Sequence, residues 1–164
     1  MAKEIFLEKD CLITSKTDLK GKIVYANDDF LTYAGYKMDE ILYKPHNIVR
    51  HEDMPRAVFK FLWDYMKRGE EIFAFVKNKT KSGDYYWVFA NVTPSFDVNN
   101  QIIGYYSVRR KPNAKALEQI KPLYRELLKF EQMGLDRDVE FLRDFCKNSH
   151  KSYNELIFSL QEAK

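Results

Sequence analysis

Three groups of side chains in this chain are of types that can work on a ligand. Between Pro45 and Pro55 the segment PHNIVRHEDMP carries His46, Arg50, His51, Glu52 and Asp53. Arg50 and His51 supply the charge-assisted donors that hold phosphate or another anion. The next segment carries Phe59 and Trp63, whose flat faces suit stacking on a ring. Farther on, Asn78 and Asn91 stand in line with apolar neighbours in β-prone runs. A side-chain amide offers both a donor and an acceptor, so it can serve a ligand whose own hydrogen-bonding sense changes. Plainer roles are open to the same residues. Asp53 can simply cap the helix that follows, and either asparagine can end on the wet side of its sheet.

Other chemistries are missing. There is no GxxxxGK[ST] loop for a nucleoside triphosphate, no GxGxxG after a strand and no HExxH spacing. No serine or cysteine sits in a recognisable nucleophile elbow, which counts against an enzyme. Cys11 and Cys146 stand far apart, without the CxxC spacing of a metal or dithiol site. Sparse cysteine and no secretory leader fit a reducing cytosol. The net charge of +3 is spread over both signs, which argues against nucleic acid. Arg109-Arg110-Lys111 reads as a solvated strand end. No apolar run approaches the roughly 18 residues needed to cross a bilayer, so any membrane association requires a partner.

The elements that must position these groups follow from the pattern. Residues 11–26 read as a hairpin turning at Asp18-Leu19-Lys20-Gly21. Asn27 or Asp28 can cap a short helix that Gly35 stops, and Met38 to Tyr43 make a second. With Asp53 as cap and Pro55 in its first turn, a longer helix runs to Arg68 and stops at Gly69. Met54, Val58, Phe61, Leu62 and Tyr65 form one apolar face of it, and Phe59, Trp63 and Met66 a second, so it is buried on more than one side. Strands follow at about 71–80, 84–97 and 101–110. Ile72, Ala74, Val76 and Asn78 share a face of the first; Tyr85, Trp87, Phe89, Asn91 and Thr93 share a face of the second.

After residue 112 the chain turns helical. Asn113 caps, Pro122 kinks or splits the helix, and Gly134 breaks it before Asp136. Asp136 can cap a last helix, in which Val139, Leu142, Cys146, Ser149, Tyr153, Leu156 and Leu160 recur at spacings of three and four, a heptad-like seam. That seam suits either packing on its own domain or a dimer or partner contact. The fold class is α+β: a five-stranded antiparallel sheet with helices on one face, spanning residues 1–111, plus a helical extension over 112–164.

PHNIVRHEDMP resembles the corresponding loop of Aer-type PAS domains, from aerotaxis receptors. YANDDFLTYAGY at 25–36, VKNKTKSGDYYWVFANVTP at 76–94, IIGYYSVRRK at 102–111 and IKPLYREL at 120–127 carry the likeness on, over roughly residues 12–127. Nearer still is the PAS-only, CetB-like component of bipartite energy-taxis receptors. The resemblance implies a PAS fold and non-covalent FAD. It also implies a cytoplasmic redox sensor that reports by contact to a membrane-bound chemotaxis transducer with HAMP and signalling regions. Such a protein would be peripheral to the inner membrane through that partner and homodimeric. Carried over position by position, the cofactor side is Asn27, Arg50, His51, Asp53, Phe59, Trp63, Asn78 and Trp87. Where the family often has Trp after the glycine ending the long helix, this chain has Ile72. Light-oxygen-voltage domains are also PAS folds, but neither cysteine here falls in their cysteine-bearing helix motif, so no photochemical adduct is expected.

For mechanism, oxidised flavin N5 accepts a hydrogen bond and the fully reduced form donates one. Asn78 is the first candidate to follow that change by rotating its amide, and Asn91 the second. A haem-binding gas sensor using His46 or His51, a cofactor-free dimerisation module and a flavoenzyme are the rival readings.

Overall fold

The computed structural model describes residues 1–134 and 136–164. Its strands are β1 (Ile13–Thr17), β2 (Ile23–Ala26), β3 (Ile72–Lys79), β4 (Tyr85–Phe96) and β5 (Ile102–Arg110). They form one antiparallel sheet in the order β2-β1-β5-β4-β3. The first hairpin closes because the Asp18 carboxylate accepts from the Lys20 and Lys22 amides, both at 2.9 Å. β5 then slides between β1 and β4. Gly104 permits that approach, since a Cβ there would stand 2.2 Å from the Thr17 carbonyl oxygen.

Between β2 and β3 lie α1 (Asp28–Ala34), α2 (Met38–Ile41), a 3₁₀ turn at His46–Val49 and α3 (Arg56–Lys67). Asn27 caps α1 by accepting from Phe30 N–H, and Gly35 ends it in the left-handed region. α2 stops short of Tyr43. The polar loop expected from residue 45 contains the 3₁₀ turn instead. Asp53 does not cap α3: Pro55 occupies that position and the Asp53 carboxylate takes the Lys77 ammonium at 2.7 Å. A full charge from the neighbouring strand outcompetes the partial charge of a helix end.

The extension consists of α4 (Ala114–Met133), α5 (Arg137–Asn148) and α6 (Tyr153–Gln161). α4 continues through Pro122, which lies inside it, so the expected split does not occur. Buried Ile120, Leu123, Tyr124 and Leu127 pin both sides of the proline to the sheet. The heptad-like seam is also corrected. It is not one helix, because the chain turns at His150, with φ 56, before Ser152 and Glu155 open α6 with a capping box. Val139, Leu142, Cys146, Tyr153 and Leu156 are all buried in the chain's own core, with Leu160 partly buried against it, so these residues pack internally.

α1, α2 and α3 cover one face of the sheet; α4 covers the other through Phe75, Trp87 and Phe89. The Tyr124 hydroxyl donates to the Phe75 carbonyl in that buried layer. α5 packs on α3, and α6 runs along the open edge of β3. There Asn154 accepts from Phe73 N–H and donates to the Glu71 carbonyl, both at 2.9 Å, covering an edge that would otherwise template aggregation. Among the described residues no helix is long and apolar enough to cross a membrane.

Candidate functional site

The two apolar faces of α3 have different jobs. Phe61 and Tyr65 meet Tyr153 of α6, with ring centroids 5.2 and 6.2 Å apart. Phe59, Trp63 and Met66, joined by Leu62 from the first face, instead line a cavity of about 270 Å³ between α3 and the sheet. Its aromatic wall is held at both ends. The Arg50 guanidinium lies 4.0 Å from the centre of the Phe59 ring, and Trp63 meets Tyr105 edge-on at 5.5 Å.

The sheet wall sets polar groups among apolar Val76, Ala90 and Val92. Period-two alternation in paired strands aims Ser15, Asn78, Ser107 and Arg109 into the same space. Arg109 is only 4% exposed, which corrects its reading as a solvated strand end; Arg110, its neighbour, takes the wet side. Arg109 Nη2 donates to Ser15 Oγ at 2.7 Å and to His46 Nε2 at 2.6 Å. Ser15 Oγ lies 2.9 Å from the same His46 nitrogen. A guanidinium only donates, so His46 Nε2 must accept and the imidazole is neutral. Burial, then the charge of Arg109, pushes His46 down to about 3. Burial also draws Arg109 down to about 10, still charged at neutral pH. Next to it, burial raises the Tyr86 phenol to about 12, opposed by the charge of Arg109, and its hydroxyl has no hydrogen-bond partner among the described residues.

Of the nine residues marked from sequence for the flavin, the cavity brings together Arg50, Phe59, Trp63 and Asn78, and it also holds His46, a candidate haem ligand of the rival reading. Asn78 is 5% exposed. The other five stand elsewhere. Asn27 spends its amide on the α1 cap and on β1, accepting from Thr14 N–H at 3.0 Å and donating to the Leu12 carbonyl at 2.7 Å. His51 Nδ1 accepts from Asp53 N–H at 3.0 Å, beside the Tyr85 ring. Burial, then the Lys77 charge, lowers the His51 pKa. Asp53 pairs with Lys77. Trp87 is buried on the opposite sheet face against Tyr124, centroids 5.9 Å apart. Asn91, also on that face, donates to Glu71 at 3.3 Å. Asp53 and Trp87 border a separate outer groove with Lys77, Tyr85 and Lys121. Neither Cys11 nor Cys146 lines the cavity. Sequence reasoning passed over Ser15, Tyr105, Ser107 and Arg109. The alternation along β5, which puts Tyr105, Ser107 and Arg109 on one face, was the available signal.

An aromatic helix face set opposite buried polar groups of an antiparallel sheet, with a cavity between them, defines the architecture of this α+β module. The chain matches the PAS fold family over residues 23–109 and belongs to it. It is 41% identical to the aerotaxis receptor of Escherichia coli (strain K12) over 121 residues, 74% of this chain and 24% of that protein. It is 34% identical to the biofilm dispersion protein BdlA of Pseudomonas aeruginosa over 92 residues, 52% of this chain and 21% of that one. The chain thus spans about a quarter or less of these relatives. The light-state structure of the blue-light photoreceptor Aureochrome1 LOV superposes with a TM-score of 0.57 at 27% identity, covering 74% of this chain and 91% of that one.

Proposed function

We propose that this PAS domain holds FAD in the cavity between α3 and the sheet. There it senses redox state and reports it by protein contact to a membrane-bound chemotaxis transducer. The observation that carries this reading is the pairing of walls: Phe59 and Trp63 on one side, Asn78 and Arg109 on the other, around about 270 Å³. That volume falls just below the roughly 300–1,000 Å³ usual for small-molecule sites, room for a ring system with its tail outside. Arg109 lines the cavity as a buried cation whose Nη1 has no partner among the described residues. Lys20, exposed at the mouth, and Arg50 are placed for the phosphates.

A bound flavin supplies reversible uptake of two electrons. The chain's own part is to hold the ring, exclude water and reorganise hydrogen bonds. Asn78 can present either its carbonyl or its NH₂ to a neighbour whose sense has reversed. Exchanging one such buried bond is worth about 1–3 kcal/mol, enough to bias a conformational equilibrium but not to rebuild a fold. β3 carries Asn78 on one face and Phe75, bonded to Tyr124 of α4, on the other. The extension is therefore the element positioned to feel the change and present it to the transducer.

The visible spectrum of the purified protein tests the proposal. Paired flavin bands are expected, restored by FAD if lost in purification. A Soret band instead, or protein that stays colourless after FAD incubation, overturns it.

A further inference from the structure

Most of the cavity's features are neutral, but its charge is one-sided. Lys20, Arg50 and Arg109 line it, and no carboxylate does. Arg109 is the extreme case, 4% exposed at the centre of the sheet wall. A buried charge is ordinarily paired, because desolvating it alone is expensive. Among the described residues no ion pair reaches Arg109. Every group that faces it is uncharged at neutral pH. Ser15 of β1 is a hydroxyl, His46 of the 3₁₀ turn is a neutral acceptor, Phe30 of α1 presents its ring 5.4 Å away, and Tyr86 of β4 keeps its proton. Nη1 remains without a partner. His46 and Ser15 thus orient the guanidinium without neutralising it.

Resting on the FAD reading above, we infer that Arg109 sets the protonation state of the reduced cofactor, serving as the counter-ion for the negative charge that reduction leaves on the ring. The balance is simple. An oxidised flavin that takes two electrons and one proton becomes an anion; with a second proton it becomes neutral. The electrons come from a low-potential donor, dithionite in the test below. A cation already fixed in a water-poor wall favours the anion, so the second proton is not taken up. Arg109 is accordingly a specificity-determining residue: it selects a ligand able to acquire negative charge, and it ties the sensor's potential to one proton instead of two.

The test is the pH dependence of the midpoint potential of FAD-loaded protein, followed by absorbance during reductive titration in mildly acidic buffer. One proton per two electrons gives a slope of about 30 mV per pH unit, since tenfold in a two-electron equilibrium is 29.6 mV. Two protons give about twice that. The wild-type protein is expected at the shallow slope, Arg109→Gln at the steep one, and Arg109→Lys near wild type. A wild-type protein that binds FAD but titrates with the steep slope overturns the role of Arg109 and leaves the flavin reading standing. This arm holds even if Arg109→Gln fails to fold. A shallow slope retained in folded, FAD-loaded Arg109→Gln overturns it equally. Wild-type protein that takes up no FAD removes the flavin reading, and this inference with it.

Discussion

Asn78→Ala is the most informative single change to the proposed relay. Asn78 is nearly fully buried, lines the cavity and lies opposite Tyr86 in the β3–β4 register. Truncation removes one amide that can bond the ligand in either redox state. The loss of one buried hydrogen bond, about 1–3 kcal/mol, corresponds to about a 5- to 150-fold weaker FAD affinity. Asn91 provides the control. Its amide is on the other face and bonds Glu71, so Asn91→Ala should leave affinity within about twofold. The assay is titration of apo-protein with FAD, followed by flavin fluorescence quenching. Hydrogen exchange across residues 114–133 is then compared between oxidised and dithionite-reduced samples. In wild type the exchange of α4 should depend on redox state, and in Asn78→Ala that dependence should vanish. Equal effects of the two asparagine variants, or unchanged affinity and unchanged α4 response in Asn78→Ala, would refute the relay.

Three further outcomes follow from the same geometry. Trp63→Ala should weaken FAD binding by about 2- to 10-fold, from about 0.5–1.5 kcal/mol of aromatic contact, whereas Trp87→Phe should not, because Trp87 lies under α4; the fluorescence titration separates them. His46 is held neutral when folded, with its pKa lowered from 6.5 to about 3, so the unfolded chain binds the extra proton between those values. Its contribution to stability is full above pH 6.5 and is lost as pH falls, by about 1.4 kcal/mol per unit. Urea denaturation at pH 7 and pH 5 should therefore show a drop of about 2 kcal/mol in wild type that His46→Gln lacks. Asn154→Ala leaves Phe73 N–H and the Glu71 carbonyl without their partner. It should destabilise the protein by about 1–3 kcal/mol in the same assay and speed hydrogen exchange at β3.

Much of this architecture was legible in local pattern. The Asn27 cap, the Gly35 stop and the division of α3 into two apolar faces all follow from residue types at fixed spacing. What escaped depended on partners distant in sequence. Asp53 leaves the helix end because Lys77, on β3, offers a whole charge. β4 is apolar on both faces because α4 covers the outer one, so alternation alone could not tell Trp87 and Asn91 from the inward Val88 and Ala90. Arg109 was hidden by its neighbours: a run of three basic residues looks like a solvated end, yet period two buries the first of them. The seam after residue 137 kept its spacing across a break that only the backbone at His150 reveals.

A crystal structure of the FAD-loaded protein addresses the central claim most directly. The account predicts density for the ring between Phe59 and Trp63 on α3 and Asn78 and Arg109 on the sheet. Density instead in the outer groove beside Trp87 and Lys121, or an α3–sheet cavity filled by its own side chains, would contradict it.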